Sequence, residues 1–168
     1  MKRFILDVFN RNLNKDEAQE YFKNSFTEMG DEEKSYYLGN EDKYLKFFLA
    51  LFAIKEKAST RIRFCNYKKA TKLLFDAKYS QRSLENLLRA KSITCQEDIE
   101  IFTMLSFRDA FGVQFAYRIY FSGIRIYIAS LSDYYYMVYC KDESEEIIKR
   151  TAIKFGLYLR GLPKYVVN

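Results

Sequence analysis

Gln114-Phe115-Ala116-Tyr117-Arg118-Ile119-Tyr120-Phe121-Ser122-Gly123-Ile124-Arg125-Ile126-Tyr127-Ile128-Ala129-Ser130 alternates in character on both sides of a single Ser-Gly step. Successive side chains of an extended chain point to opposite faces, so Phe115, Tyr117, Ile119 and Phe121 share one face and Ala116, Arg118 and Tyr120 the other. Ile124, Ile126 and Ile128 oppose Arg125 and Tyr127 in the same way. A two-residue turn at Ser122-Gly123 predicts a hairpin pairing Phe121 with Ile124, Tyr120 with Arg125, Ile119 with Ile126 and Arg118 with Tyr127. A slip of one residue would turn the arginines into the core, so the pattern resists it. Leu131-Ser132-Asp133 then turns the chain into a third strand, Tyr134 to Cys140, aromatic on both faces.

A helical pattern follows at once. Asp142 or Ser144 can cap it, and Glu143, Glu145 and Glu146 suit the positive end of the helix dipole. Ile148, Ala152, Phe155 and Leu159 recur at helical spacing as the buried stripe, leaving Lys149, Arg150 and Lys154 outside it. Gly161 and Pro163, the single proline, mark the expected stop. The last third therefore spells β-β-β-α.

Upstream the periodicity is helical. Phe4 to Phe9 is a short apolar stretch of either type. Asp16 to Met29 predicts a helix burying Ala18, Tyr21, Phe22 and Phe26 and ending at Gly30; Asp31 to Leu38 predicts a short one, broken by Gly39-Asn40. Glu41 to Lys57 carries a stronger stripe of Tyr44, Phe47, Phe48, Leu51 and Ile54. Arg61 to Cys65 reads as a strand or an extended link, and Tyr67 to Ala77, Ser83 to Ala90 and Glu97 to Arg108 read as helices. The expected fold is α+β: a helical region over residues 1–95, then a core over 96–168 made of a three-stranded antiparallel meander and a packed C-terminal helix.

Hydrophobic residues at 49% and aromatics at 18% place the chain among folded globules rather than disordered tails. The longest apolar run, Phe47 to Ile54, is too short to cross a bilayer, and no signal-type segment opens the chain, so an intracellular, cytoplasmic location is expected. Three widely spaced cysteines, Cys65, Cys95 and Cys140, speak against a disulfide framework. Histidine is absent, which removes the commonest general base and metal ligand together. No phosphate-cradling glycine loop is present either. The expectation is a protein that is not an enzyme and uses no cofactor or metal.

Charge is unevenly placed. Residues 55–91 hold eleven Lys or Arg against three acids, a surplus of +8 within a chain whose net charge is +6. Phe64, Tyr67, Phe75 and Tyr79 interleave with Lys68, Lys69 and Lys72. Cations for phosphates and rings for bases are the makings of a single-strand surface. A solvated helical face is the plainer reading of the same run, although its single sign sets it apart from an alternating one.

Lys149-Arg150-Thr151-Ala152-Ile153-Lys154-Phe155-Gly156, followed by Leu162-Pro163-Lys164-Tyr165-Val166, resembles the signature helix of the single-strand annealing proteins, the superfamily of eukaryotic Rad fifty-two and its phage relatives. Asp109-Ala110-Phe111-Gly112 resembles the Phe-Gly that the family places before its sheet. The resemblance covers roughly the final third of the chain. It implies ATP-independent single-stranded DNA binding and strand annealing, a homo-oligomeric ring or filament, and a phage or mobile-element source. It further implies that Lys149 and Arg150 contact phosphates in a groove between hairpin and helix, with Lys154, Arg118 and Arg125 beside them. Spacing alone offers another account: Glu145 with Lys149 and Glu146 with Arg150 are favourable i, i+4 pairs. Arg118 and Arg125 fit equally a solvated sheet face where Arg stacks on Tyr. A small inhibitor binding a host defence enzyme is the rival function, since Tyr and Arg anchor protein interfaces. A duplex-DNA regulator with a recognition helix within residues 67–90 is the third.

Overall fold

The structure is a computed structural model; it describes residues 1–17, 28–89, 91–108, 110–112, 116–132 and 135–162. The expected helix core at 18–27 and residues 113–115, 133–134 and 163–168 lie outside the described residues. The fold is α+β, built on one antiparallel sheet of seven strands: β1 (Lys2–Asp7), β2 (Ala58–Ile62), β3 (Ser92–Ile93), β4 (Tyr117–Phe121), β5 (Ile126–Ser132), β6 (Tyr135–Cys140) and β7 (Tyr158–Gly161). Their spatial order is β3-β2-β4-β5-β6-β1-β7. Five described helices accompany them: α1 (Asp31–Ala53), α2 (Tyr67–Asp76), α3 (Gln81–Arg89), α4 (Gln96–Phe107) and α5 (Asp142–Lys154).

The expected three-stranded meander is thus corrected to a larger sheet. β4, β5 and β6 are adjacent as anticipated, but they form only its middle. β1 inserts between β6 and β7, and β2 pairs with β4 on the other flank. Strands come from both sides of residue 95, so the first part is not purely helical.

The hairpin differs from expectation in its turn. Phe121 pairs with Ile126, Tyr120 with Tyr127, Ile119 with Ile128 and Arg118 with Ala129. Four residues, 122–125, make the connection, because Arg125 takes a left-handed conformation (φ 53°) and stays out of the ladder. The shift is by two, so every side chain within the ladder keeps its anticipated face, while Ile124 and Arg125 pass into the turn. Gly123 is required by close approach: a Cβ there would lie 2.2 Å from the Cβ of Lys55.

One sheet face is the core. Leu6, Tyr117, Ile119, Phe121, Ile126, Ile128, Tyr136 and Val138 are buried on it, each at 2% exposure or less. α1 lays Tyr44, Phe47, Phe48 and Leu51 against this face, and α4 adds Phe102 and Phe107. Phe48 stacks on Phe121 at 6.3 Å between centroids, Tyr44 meets Tyr136 at 5.1 Å, and Phe102 meets Tyr117 edge-on at 5.7 Å. Such ring pairs add to simple burial. A two-pronged ion pair from Arg108 to Glu41, both hydrogen bonds 2.8 Å, clamps α4 to α1.

α1 runs unbroken through Gly39-Asn40, against the expected break. Glycine costs a helix about 1 kcal/mol relative to alanine, and the flanking Tyr37 and Tyr44 bury more than enough apolar surface to override it. The last helix is shorter than expected. α5 stops at Lys154, where Gly156 (φ 70°) is the left-handed residue of a Schellman cap: Leu157 N–H donates to Ala152 C=O at 2.9 Å and Gly156 N–H to Ile153 C=O at 3.1 Å. Leu159 belongs to β7 instead of the helical stripe. β7 is pinned by Arg160, which donates to the Asp7 carboxylate and to Asn12. Burial pushes the Asp7 carboxyl upward, against the pull of that guanidinium.

Leu6, fully buried in β1, tests whether the first strand is integral. Leu6→Ala should lower unfolding free energy by about 2–5 kcal/mol in urea denaturation. A loss below about 0.5 kcal/mol, the surface range, would contradict the placement of β1.

Candidate nucleic-acid interface

The cations expected on α5 do not converge. Lys149 reaches Glu145 at 2.5 Å, and Glu145 also receives Lys2 at 2.5 Å. The Lys149 pairing follows from i, i+4 spacing. Lys149 borders a groove on the β7 side, with Asn10, Ile153, Tyr158, Leu159 and Arg160. Arg150 instead lines a separate groove along α5 with Glu146, Ile147, Thr151 and Lys154 among the described residues. Lys154 curls over Phe155, 5.3 Å from the ring centroid. The groove that does lie between hairpin and helix is lined by Gly123, Ile124, Arg125, Glu143, Ser144 and Ile147. Within it Arg125 faces Glu143 at 3.6 Å, while Ser144 donates to Ile124 C=O at 2.6 Å and ties helix to turn. None of these three grooves, among the described residues, holds Lys149 and Arg150 together or either of them with the hairpin.

The basic segment behaves differently. None of Lys55, Lys57, Arg61, Arg63, Lys68, Lys72, Lys78, Arg82, Arg89 and Lys91 makes an ion pair among the described residues. Asn66 caps α2 by accepting from Lys69 N–H at 3.1 Å, and Ala70 and Leu74 anchor the helix inward. Lys68, Lys72 and Phe75, spaced i, i+4 and i+7, consequently line its solvent side. Phe75 is 82% exposed, with Phe64 at 57% and Tyr67 at 54% nearby in the chain. Lys69 is half-buried. Tyr79 is not available: it donates to Glu100 at 2.7 Å, and burial, reinforced by that carboxylate, pushes its hydroxyl up to about 12.

The second surface is the sheet face opposite the core. Residues directly paired across strands share a face, which aligns Ser59, Tyr120, Tyr127, Tyr139 and Arg3 in one row across β2, β4, β5, β6 and β1. The neighbouring row runs Arg61, Arg118, Ala129, Met137, Ile5, Arg160. Arg118 stacks on Tyr127, 5.6 Å from the centroid, and donates to its hydroxyl. Tyr127 meets Tyr139 edge-on at 5.3 Å, and Arg3 lies over Tyr139 at 5.9 Å. Arg118 is thus held on the sheet face and Arg125 in the turn, so the two expected partners part company. Arg3 and Tyr139 went unnoticed in the sequence; the alternation Arg3, Ile5, Asp7 was the available signal.

Among the described residues no cluster of acids or cysteines is placed to hold a metal ion, and no helix is long and apolar enough to cross a membrane. Cys65, Cys95 and Cys140 are free thiols. No known protein family, curated protein or solved structure matches the chain significantly.

Lys149 and, after it, Lys2 hold the Glu145 carboxyl below the usual range. A depressed carboxylate pairs fully above its unfolded value and loses that contribution as pH falls through the folded one. An NMR carboxyl titration should place the Glu145 midpoint below an ordinary glutamate, and Lys149→Ala should move it back up. An ordinary midpoint in the unsubstituted protein would show Lys149 to be free.

Proposed function

We propose that this chain binds single-stranded nucleic acid without nucleotide or metal and promotes strand annealing, with the β2–α2 flank, not α5, as its phosphate-binding surface. The supporting observation is electrostatic. Arg61 and Arg118 are direct cross-strand neighbours, an arrangement that is unfavourable for like charges and that an anionic backbone would relieve. The cations that follow Arg61, namely Arg63, Lys68 and Lys72, are likewise unneutralised among the described residues. Phosphate contacts hold a strand without reading its sequence, and leave base edges free to test a complement. The annealing activity and the homo-oligomer belong to this proposal through the resemblance of the Lys149–Gly156 run to the annealing proteins.

Phe75, 82% exposed, favours a second reading in which this flank docks a protein partner, as an inhibitor would. Affinity for a labelled oligonucleotide, followed against salt, separates the two. Each phosphate contact on a single strand contributes about 0.7 to the slope of log affinity against log salt. Arg61→Ala with Lys68→Ala and Lys72→Ala should weaken binding and lower the slope by roughly two units, while Lys149→Ala should leave both unchanged. Binding lost with Lys149→Ala and kept in the triple variant would return the site to α5. Absence of binding in the unsubstituted protein would leave the docking reading.

A further inference from the structure

The β2–α2 flank offers cations for phosphates and exposed rings at Phe64, Tyr67 and Phe75, which lie on a loop and a helix and not in one strand row. The sheet face that carries Arg61 supplies an aligned row. Tyr120, Tyr127 and Tyr139 occupy adjacent strands of a single row, so strand spacing sets them roughly 5 Å apart over a span of about 10 Å. All three are half-buried side by side, with Ser59 and Arg3 exposed at the two ends of the row. No acid occurs in this row or in the neighbouring one that carries Arg61 and Arg118. A face meant only for water ordinarily mixes both signs of charge across strands, because opposite pairs stabilise and like pairs do not. These two rows carry rings and cations but no acid, while Asp7, further along β1 on the same face, is buried and taken up by Arg160.

We infer that the row Tyr120, Tyr127, Tyr139 is a stacking platform for unpaired bases, with Arg61, Arg118 and Arg3 holding the phosphates that flank them. The inference rests on the single-strand reading above and specifies how the ligand is seated. The platform is fixed before any ligand arrives: Arg118 is hydrogen-bonded to the Tyr127 hydroxyl, and Arg3 lies against Tyr139. Rings locked in this way lose little freedom on binding. Tyr120 makes neither kind of contact among the described residues and presents the ring nearest the basic flank through its cross-strand neighbour Ser59. Stacking uses the flat face of a base, which every base has, so the platform is tolerant of sequence. It also discriminates by strandedness. In a duplex those faces are already covered by neighbouring base pairs, so duplex DNA reaches only the arginines.

An abasic strand tests this without altering the protein. Fluorescence anisotropy at fixed salt should show a labelled oligothymidylate binding at least about tenfold more tightly than an abasic oligomer of equal length and charge. Tyr120→Leu with Tyr127→Leu should abolish that ratio while keeping the salt slope, and Tyr120→Phe with Tyr127→Phe should retain it, which separates loss of the ring from loss of fold. Equal affinity for the two strands in the unsubstituted protein overturns the platform and leaves the cation-held strand standing. Failure to bind either strand overturns the single-strand reading as well. Duplex of the same length competing as well as single strand also overturns the platform.

Discussion

The insertion of β1 between β6 and β7 is the constraint on which the rest of this fold depends. It buries Leu6 under α1, and Tyr44 donates its hydroxyl hydrogen to Leu6 C=O at 3.3 Å, joining strand to helix. Among the described residues β1 is also the one ladder partner of β7. Without β1, Arg160 would lose Asp7, and the face on which Arg3 meets Tyr139 would end one strand earlier. The N-terminal strand therefore organises the core side and the polar side of the sheet together.

Two surfaces with different electrostatics follow from that topology. On α5, Glu145 takes Lys149 one turn away and Lys2 from β1, and Glu143 faces Arg125 of the turn, while Arg150 and Lys154 make no ion pair among the described residues. Around β2 and α2, the nearest acids are too few for the cations they accompany. A helix with paired charges contributes little to an anion, because each pair must be broken before a phosphate is met. The uncompensated flank has no such cost, which is why the proposed phosphate surface moves there.

Much of this was legible in the sequence, for local reasons. The period of two in Tyr117–Phe121 and Ile126–Ser130 assigned every side chain to its face, and that assignment survives a change of register by two. The turn length was not legible, since nothing in Ser122-Gly123-Ile124-Arg125 announces that Arg125 adopts a positive φ. β1 and β7 were hidden because their identity lies in partners more than 100 residues away for β1 with β6 and β7. Gly39 misled, as the surface buried by Tyr37 and Tyr44 outweighs a weak propensity. At the Lys149 site, i, i+4 spacing carried the ion pair, while the resemblance of the same residues to the annealing proteins pointed to a groove between hairpin and helix, which Arg125, Glu143 and Ser144 line and Lys149 and Arg150 do not.

The order of the strands also has a consequence for synthesis. β1 leaves the ribosome well before both of its neighbours, which come from beyond residue 134. At cellular translation rates of about 5–20 residues per second, Phe4, Ile5 and Leu6 wait on the order of ten seconds for their mates. Throughout that interval an apolar extended segment stays open to chaperones or to another nascent chain. The lag belongs to the topology itself, and a circular permutant that moves β1 to follow β7 would shorten it.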